Sequence, residues 1–390
     1  MEALLNYFLN RYLPRKEIVY RLPVSVNIAD FWPKELAYRE EKAVRLPLHS
    51  MDGHDYWYYP SDDILSCGDM LAAAARMDEP DRIPVYAHED ALIDEAFYSS
   101  VIEGANSTKI RAHELIRSGE SPRDKDERMV LNNYRALRFV LDHPDVPVSH
   151  EIILEIGRLL TEGTMDEGIQ AGYRDGPVQV ISGRQEVVYE APEAQYVLPM
   201  MDELIAYIND PEIHPVIKAC ITHIYFVTVH PFFDGNGRTA RALSVMILLR
   251  AGYDFFRQVP VSGLLAEERS EYYKAIRMSQ DPRNGYDFTY FLQYYISMLS
   301  RTVETMHRRT AGLRKLERVR EEIPEGKTRE RLLAGAEWLI IGKVPVITAE
   351  KWKVKYKVSF ETARHDLNTL ADLGILELRI VGRKYFYDIV

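Results

Sequence analysis

The chain is 390 residues long and carries 49 basic against 59 acidic side chains, for a net charge of −10. That length exceeds what one compact core usually holds and implies two or three folding units, while the acidic balance excludes wholesale coating of nucleic acid and a polybasic membrane surface, so any DNA contact is local. Cys67 and Cys220 have no partners at metal spacing, which excludes a zinc site and a disulfide framework; with no secretory h-region and no run of about 18 apolar residues, a cytoplasmic protein with no membrane partner is expected.

Residues 1–60, with "RLPVSVNIADFWP" and "VRLPLHSMDGHDYWYYP", mix prolines and aromatics without a clean period and read as an extension of loops and strands. From about residue 90 the pattern turns helical. "HEDALIDEAFYSSVIEG" ends at Gly104, a C-cap candidate, and "SHEIILEIGRLLTEG" is opened by Ser149 as N-cap. One interruption breaks the helical pattern: Val178 and Val180 alternate against Val187 and Tyr189 around Ser182 and Gly183, a β-hairpin signal. Helices resume and continue to Pro324, where "EEIPEGKTRE" marks a linker. Beyond it come a short helix, a turn, a helix capped by Ser359 and stopped at Gly374, then two strands turning at Gly382. The expected organisation is an extension (1–60), a mainly α domain (61–322) and a smaller C-terminal domain (328–390).

The chemistry concentrates in "HPFFDGNGRTAR", residues 230–241. Gly235, Asn236 and Gly237 fall where an apolar helix begins, and free N–H groups at such a start form an anion cradle. Arg238 and Arg241 stand three apart, on one face, and can reach phosphate oxygens from the same side. Asp234 supplies a hard oxygen for Mg²⁺ held jointly with a polyphosphate. His230 can take a proton from an attacking hydroxyl near neutral pH. Together these residue types fit phosphoryl-group transfer, in which catalysis is mostly positioning and charge stabilisation. "GKT" at 326–328 is no Walker loop, since no glycine stands five residues earlier.

"HPFFDGNGRTAR" resembles the signature of the Fic (Fido) family of protein adenylyltransferases over all its usual fixed positions. The resemblance implies a Fic-type helical bundle with a β-hairpin flap, and transfer of AMP from Mg²⁺-ATP to a Ser, Thr or Tyr hydroxyl of a target protein. It implies His230 as general base and Asp234 at Mg²⁺. It also implies phosphates against the amides of Gly235, Asn236 and Gly237 with Arg238 beside them, and Arg241 at the γ-phosphate. The hairpin from Val178 through Val180 and Val187 to Tyr189 resembles the family's target-clamping flap, and Tyr272 and Tyr273 fall where its members contact adenine. "SSVIEG" resembles the family's inhibitory helix, with Ser99 and Glu103 on one face and Arg241 as the implied partner of Glu103.

Residues from about 345 resemble a winged helix-turn-helix, with nine basic against six acidic residues from Lys343 onward. Ser359, Thr362, Arg364 and His365 are placed to face a DNA major groove, and a protein-docking or homodimerising role stays open beside DNA contact. Three further readings compete with AMP transfer: a DNA-binding regulator that only senses nucleotide, an enzyme that removes AMP, with Glu103 positioning water, and transfer of a different phosphate-containing group, which the intact signature disfavours.

Overall fold

The computed structural model describes every residue except 78–84, 144, 166–171, 182–185, 258, 342–345, 382–383 and 390. It divides into two compact units, Met1–Val303 and Glu304–Val390, with the division inside one long helix. The turns expected at Ser182–Gly183 and at Gly382 lie outside the described residues.

Where the sequence suggested loops and strands, residues 1–40 form three helices: α1 (Glu2–Arg11), α2 (Arg15–Ile18) and α3 (Ile28–Glu40). The prolines are the reason for the difference. Pro14 stands at the N-cap of α2, and Pro33 costs α3 one backbone hydrogen bond while Phe31 and Trp32 beside it bury against Phe8 and Ile18. Burial of that size outweighs a single lost bond. The expected strands follow as a hairpin, β1 (Val44–His49) paired antiparallel with β2 (Asp55–Tyr58).

The extension is fastened to the rest of its unit by buried charge. Arg39 donates to Glu35 at 2.8 Å, to the Tyr290 hydroxyl at 2.9 Å and to the Leu13 carbonyl at 3.0 Å. Tyr12 donates to Asp287 at 2.9 Å, whose carboxyl is pushed up to about 6 by burial, with Arg39 pulling the other way.

Next come α4 (Asp62–Met77), α5 (Val85–Ile102), α6 (Lys109–Ser118), α7 (Lys125–Asp142) and α8 (His150–Thr161). A second hairpin, β3 (Gln179–Ile181) with β4 (Val187–Glu190), pairs Val180 opposite Tyr189. It precedes α9 (Ala194–Asn209), α10 (Pro215–Val229) and α11 (Asn236–Arg250). Every residue of α10 from Val216 to Val229 is buried, and α11 is nearly so. A helix apolar on all sides belongs at the centre of a bundle, and α5, α7 and α8 pack around this pair. The unit continues through α12 (Val261–Glu267) and α13 (Arg269–Gln280) into α14 (Thr289–Glu322).

The second unit contains the end of α14, then α15 (Lys327–Ile341), β5 (Val346–Ile347), α16 (Ala349–Tyr356), α17 (Phe360–Asp372), β6 (Leu376–Val381) and β7 (Lys384–Ile389). The three strands form one sheet in the order β5-β7-β6. Ser359 caps α17 through the Thr362 amide at 3.0 Å, and buried Asp366 anchors the core by accepting from Arg331 at 2.7 Å and Trp352 at 2.9 Å. Among the described residues no helix is long and apolar enough to cross a membrane.

Candidate functional site

The site lies where α10 stops and α11 starts. His230 ends α10 in the left-handed conformation (φ 50°, ψ 58°), uncommon for a residue with a Cβ and usually found where the surroundings demand it. Gly235 precedes α11 at φ 85°, a conformation glycine adopts without steric cost. Just after it Asn236 folds back onto the loop as a staple: its Oδ1 accepts from the Phe232 amide at 2.9 Å and its Nδ2 donates to the Phe232 carbonyl at 2.8 Å. Gly235 gives α11 no side-chain cap, so the first N–H groups of the helix face the loop at the positive end of its dipole.

His230 is held by a 3.3 Å contact between Nδ1 and the Val227 carbonyl. Burial pulls its pKa below the ordinary histidine value; the Val227 bond opposes this, Arg174 adds to it, and Glu103 and Asp234 oppose it further. The imidazole is therefore neutral at pH 7. With Nδ1–H donated to Val227, Nε2 carries the free lone pair.

Asp234 is half exposed, with Oδ1 taken by the Gly235 amide at 2.6 Å and by Arg238 at 3.1 Å. Arg238 is buried beneath the loop and also donates to the Leu160 carbonyl at 3.0 Å, so its side chain braces Asp234 and the end of α8, leaving its backbone amide as the group facing the loop.

Arg241 is fully engaged. Nη2 donates to Glu103 at 2.7 Å and to the Ser99 carbonyl at 2.9 Å, Nε donates to the Ser99 hydroxyl at 2.8 Å, and Nη1 lies 3.4 Å from the Tyr272 hydroxyl. Burial works against its charge, but Glu103 and then Tyr272 outweigh that and raise its pKa. The helical spacing of four aims Ser99 and Glu103 at one guanidinium. Glu103 crosses over the start of α11: a Cβ on Gly237 would collide with its Oε1. The carboxylate thus occupies the space over the first turn of α11.

The two tyrosines part company. Tyr272 is buried and binds His223 Nε2 at 2.7 Å as well as Arg241, so it supports the guanidinium from within. Tyr273 is partly open, and its hydroxyl donates to the Ile102 carbonyl at 3.2 Å, one residue before Glu103. In the β3–β4 hairpin the Tyr189 hydroxyl donates to the Thr228 carbonyl at 2.7 Å. Val178 lies just before β3 and its carbonyl accepts from the Ala191 amide at 3.2 Å, Val180 is partly covered, and Val187 is exposed. Two groups went unnoticed in the sequence: His223 beneath Arg241, and Arg174, whose Nε reaches the His230 carbonyl at 2.8 Å. Neither had a sequence signal, since a lone histidine in an apolar helix and an arginine before an Asp-Gly turn are commonplace.

Residues 147–248 match the family model described as Fic/DOC. That segment is similar to Fic domains. The matched segment holds the hairpin and the whole 230–241 loop, while α5 with Ser99 and Glu103 lies outside it. The chain is 33% identical over 195 residues to the protein adenylyltransferase fic-1 of Caenorhabditis elegans, covering 47% of this chain and 35% of that protein. With the Caenorhabditis briggsae protein of the same name it shares 29% over 277 residues, 68% of this chain and 46% of the other. It thus spans less than half the length of these curated relatives. A solved Fic family protein from Desulfovibrio desulfuricans G20 superposes with a TM-score of 0.57 at 20% identity, covering 85% of this chain and 97% of that one; this likeness speaks for the Fic fold alone.

Proposed function

We propose that this Fic-like domain is a protein adenylyltransferase that moves AMP from ATP to a hydroxyl of a target protein and is held in check by Glu103. The observation that carries the proposal is the Glu103–Arg241 pair lying across Gly237 beside a neutral His230; the names of the curated relatives agree with it. In the reaction, His230 Nε2 takes the proton of the target hydroxyl as its oxygen bonds to the α-phosphorus. The bond from that phosphorus to the bridging oxygen breaks, and pyrophosphate leaves. The amides at the start of α11 stabilise the charge on the phosphates, and Arg241, freed from Glu103, binds the terminal phosphate. The exposed edge of the β3–β4 hairpin is the place for a target segment to add as a strand.

The donor set suits Mg²⁺. Asp234 presents one carboxylate with Oδ1 already engaged, a hard oxygen donor that suits an ion shared with substrate phosphates. When bound there it would neutralise charge on the departing pyrophosphate. The decisive experiment is incubation of the wild type and Glu103→Gly with labelled ATP, Mg²⁺ and lysate, followed by mass spectrometry for an AMP group on a hydroxyl. Absence of that group from both proteins would remove the proposal.

The direction of the His230 shift sets the pH dependence. A base must be neutral to act, and burial lowers this pKa, so the rate should hold as pH falls to about 6.5, the ordinary histidine value, and decline only below it. Glu103 favours the protonated imidazole; hence Glu103→Gly should move the acidic limb further down. A pH–rate profile with its midpoint above the ordinary value would contradict this account of the base.

In the second unit the order of elements and the β5-β7-β6 sheet support a winged helix. Lys351, Lys355, Lys357, Arg364 and His365 are exposed, which favours duplex DNA as its partner. Fluorescence anisotropy with labelled duplex should show binding that weakens steeply with salt; a flat titration at low salt would leave protein docking as the role.

A further inference from the structure

Arg174 is buried, 2% exposed, in the segment leading into β3. Among the described residues its side chain donates only to backbone carbonyls: Nε to His230 at 2.8 Å, Nη1 to Gly176 at 2.9 Å, and Nη2 to Pro192 and, at 3.3 Å, to Val229. Its own amide donates to the Pro231 carbonyl at 2.8 Å. Among the described residues no carboxylate pairs with it. A buried cation without a counter-ion is costly; here four charge-assisted hydrogen bonds and the negative end of the α10 dipole offset the cost. These acceptors belong to three places. Val229 and His230 end α10, Gly176 precedes β3, and Pro192 follows β4.

We propose that Arg174 is a positioning residue that fixes the left-handed backbone of His230 and both ends of the β3–β4 hairpin with one guanidinium, so that a segment bound on the hairpin is registered against the imidazole. The inference rests on the adenylyltransferase reading for its catalytic consequence. Its geometric consequence stands without that reading: strain at His230 (φ 50°) is sustained from outside the loop, and the hairpin and the end of α10 should loosen together.

The test uses the full chain carrying Glu103→Gly, with Arg174→Met or Arg174→Lys added. Hydrogen exchange in Arg174→Met should quicken both in 178–191 and in 229–232, whatever the activity. The saturating rate of self-modification with labelled Mg-ATP should fall roughly 100-fold, the scale of a small misplacement of a reacting group. Affinity for an ATP analogue with a non-cleavable α,β bond should stay within about threefold, since only turnover is touched. Arg174→Lys, which keeps charge and reach but loses the planar fork, should recover part of the rate. Exchange that quickens in one segment alone or in neither, rate and affinity falling together, or failure of both variants to fold would each overturn the inference. An inactive Glu103→Gly parent would instead count against the adenylyltransferase reading, with hydrogen exchange still deciding the role of Arg174.

Discussion

Glu103→Gly is expected to raise AMP transfer, self-modification included, by two to three orders of magnitude. The carboxylate meets Arg241 at 2.7 Å with its side chain 27% exposed, so the pair is only partly screened. At an effective dielectric near 20, unit charges about 4 Å apart interact by roughly 4 kcal/mol, and each 1.36 kcal/mol or so is a decade in rate. The remaining partners of Arg241 keep it in place when Glu103 goes: Ser99 offers its hydroxyl and carbonyl and Tyr272 its hydroxyl. The variant therefore opens a seat with its cation already aimed. Glu103→Gln separates charge from bulk, because it removes the ion pair but leaves a side chain over Gly237; an intermediate rate is expected. Rates for Glu103→Gly equal to wild type, measured with labelled ATP, would end the inhibition claim without touching the catalytic one.

Replacing His230 should have the opposite effect. In the Glu103→Gly background, His230→Ala should lower transfer by about 10²- to 10⁴-fold, the range for loss of a general base, with ATP-analogue affinity preserved because the cradle is built from the amides of α11. The backbone complicates reading of alanine alone. His230 sits at φ 50°, where alanine costs roughly 1–2 kcal/mol and asparagine is tolerated. His230→Asn is thus the cleaner variant, since it keeps the loop while removing the base. Turnover within about threefold of the parent in both would show that proton removal does not depend on this imidazole.

How much of this was readable in advance depended on whether the signal was local. The 230–241 loop announced itself because acid, glycines and arginines fall within one turn and one helix start, and the spacing of four between Ser99 and Glu103 was enough to place both on one face. The helices of the first forty residues were missed because they gain stability from Phe8, Ile18, Phe31 and Trp32 meeting across distant positions, which proline-rich local sequence conceals. Arg238 and Tyr272 show the same limit within the site. The sequence suggests both as nucleotide contacts, while packing shows that one guanidinium braces Asp234 and that one phenol backs Arg241. Arg174 lies beyond any pattern reading, since its partners are all carbonyls, which every residue possesses.

The fastening of Arg39, Glu35 and Tyr12 to Tyr290 and Asp287 carries a practical consequence for dissecting this protein. A fragment begun after Glu40 would leave Asp287 and Tyr290 facing emptied space, stripped of the cation and phenol that neutralise and satisfy them. Recombinant pieces meant to keep this buried cluster intact should accordingly start ahead of Tyr12.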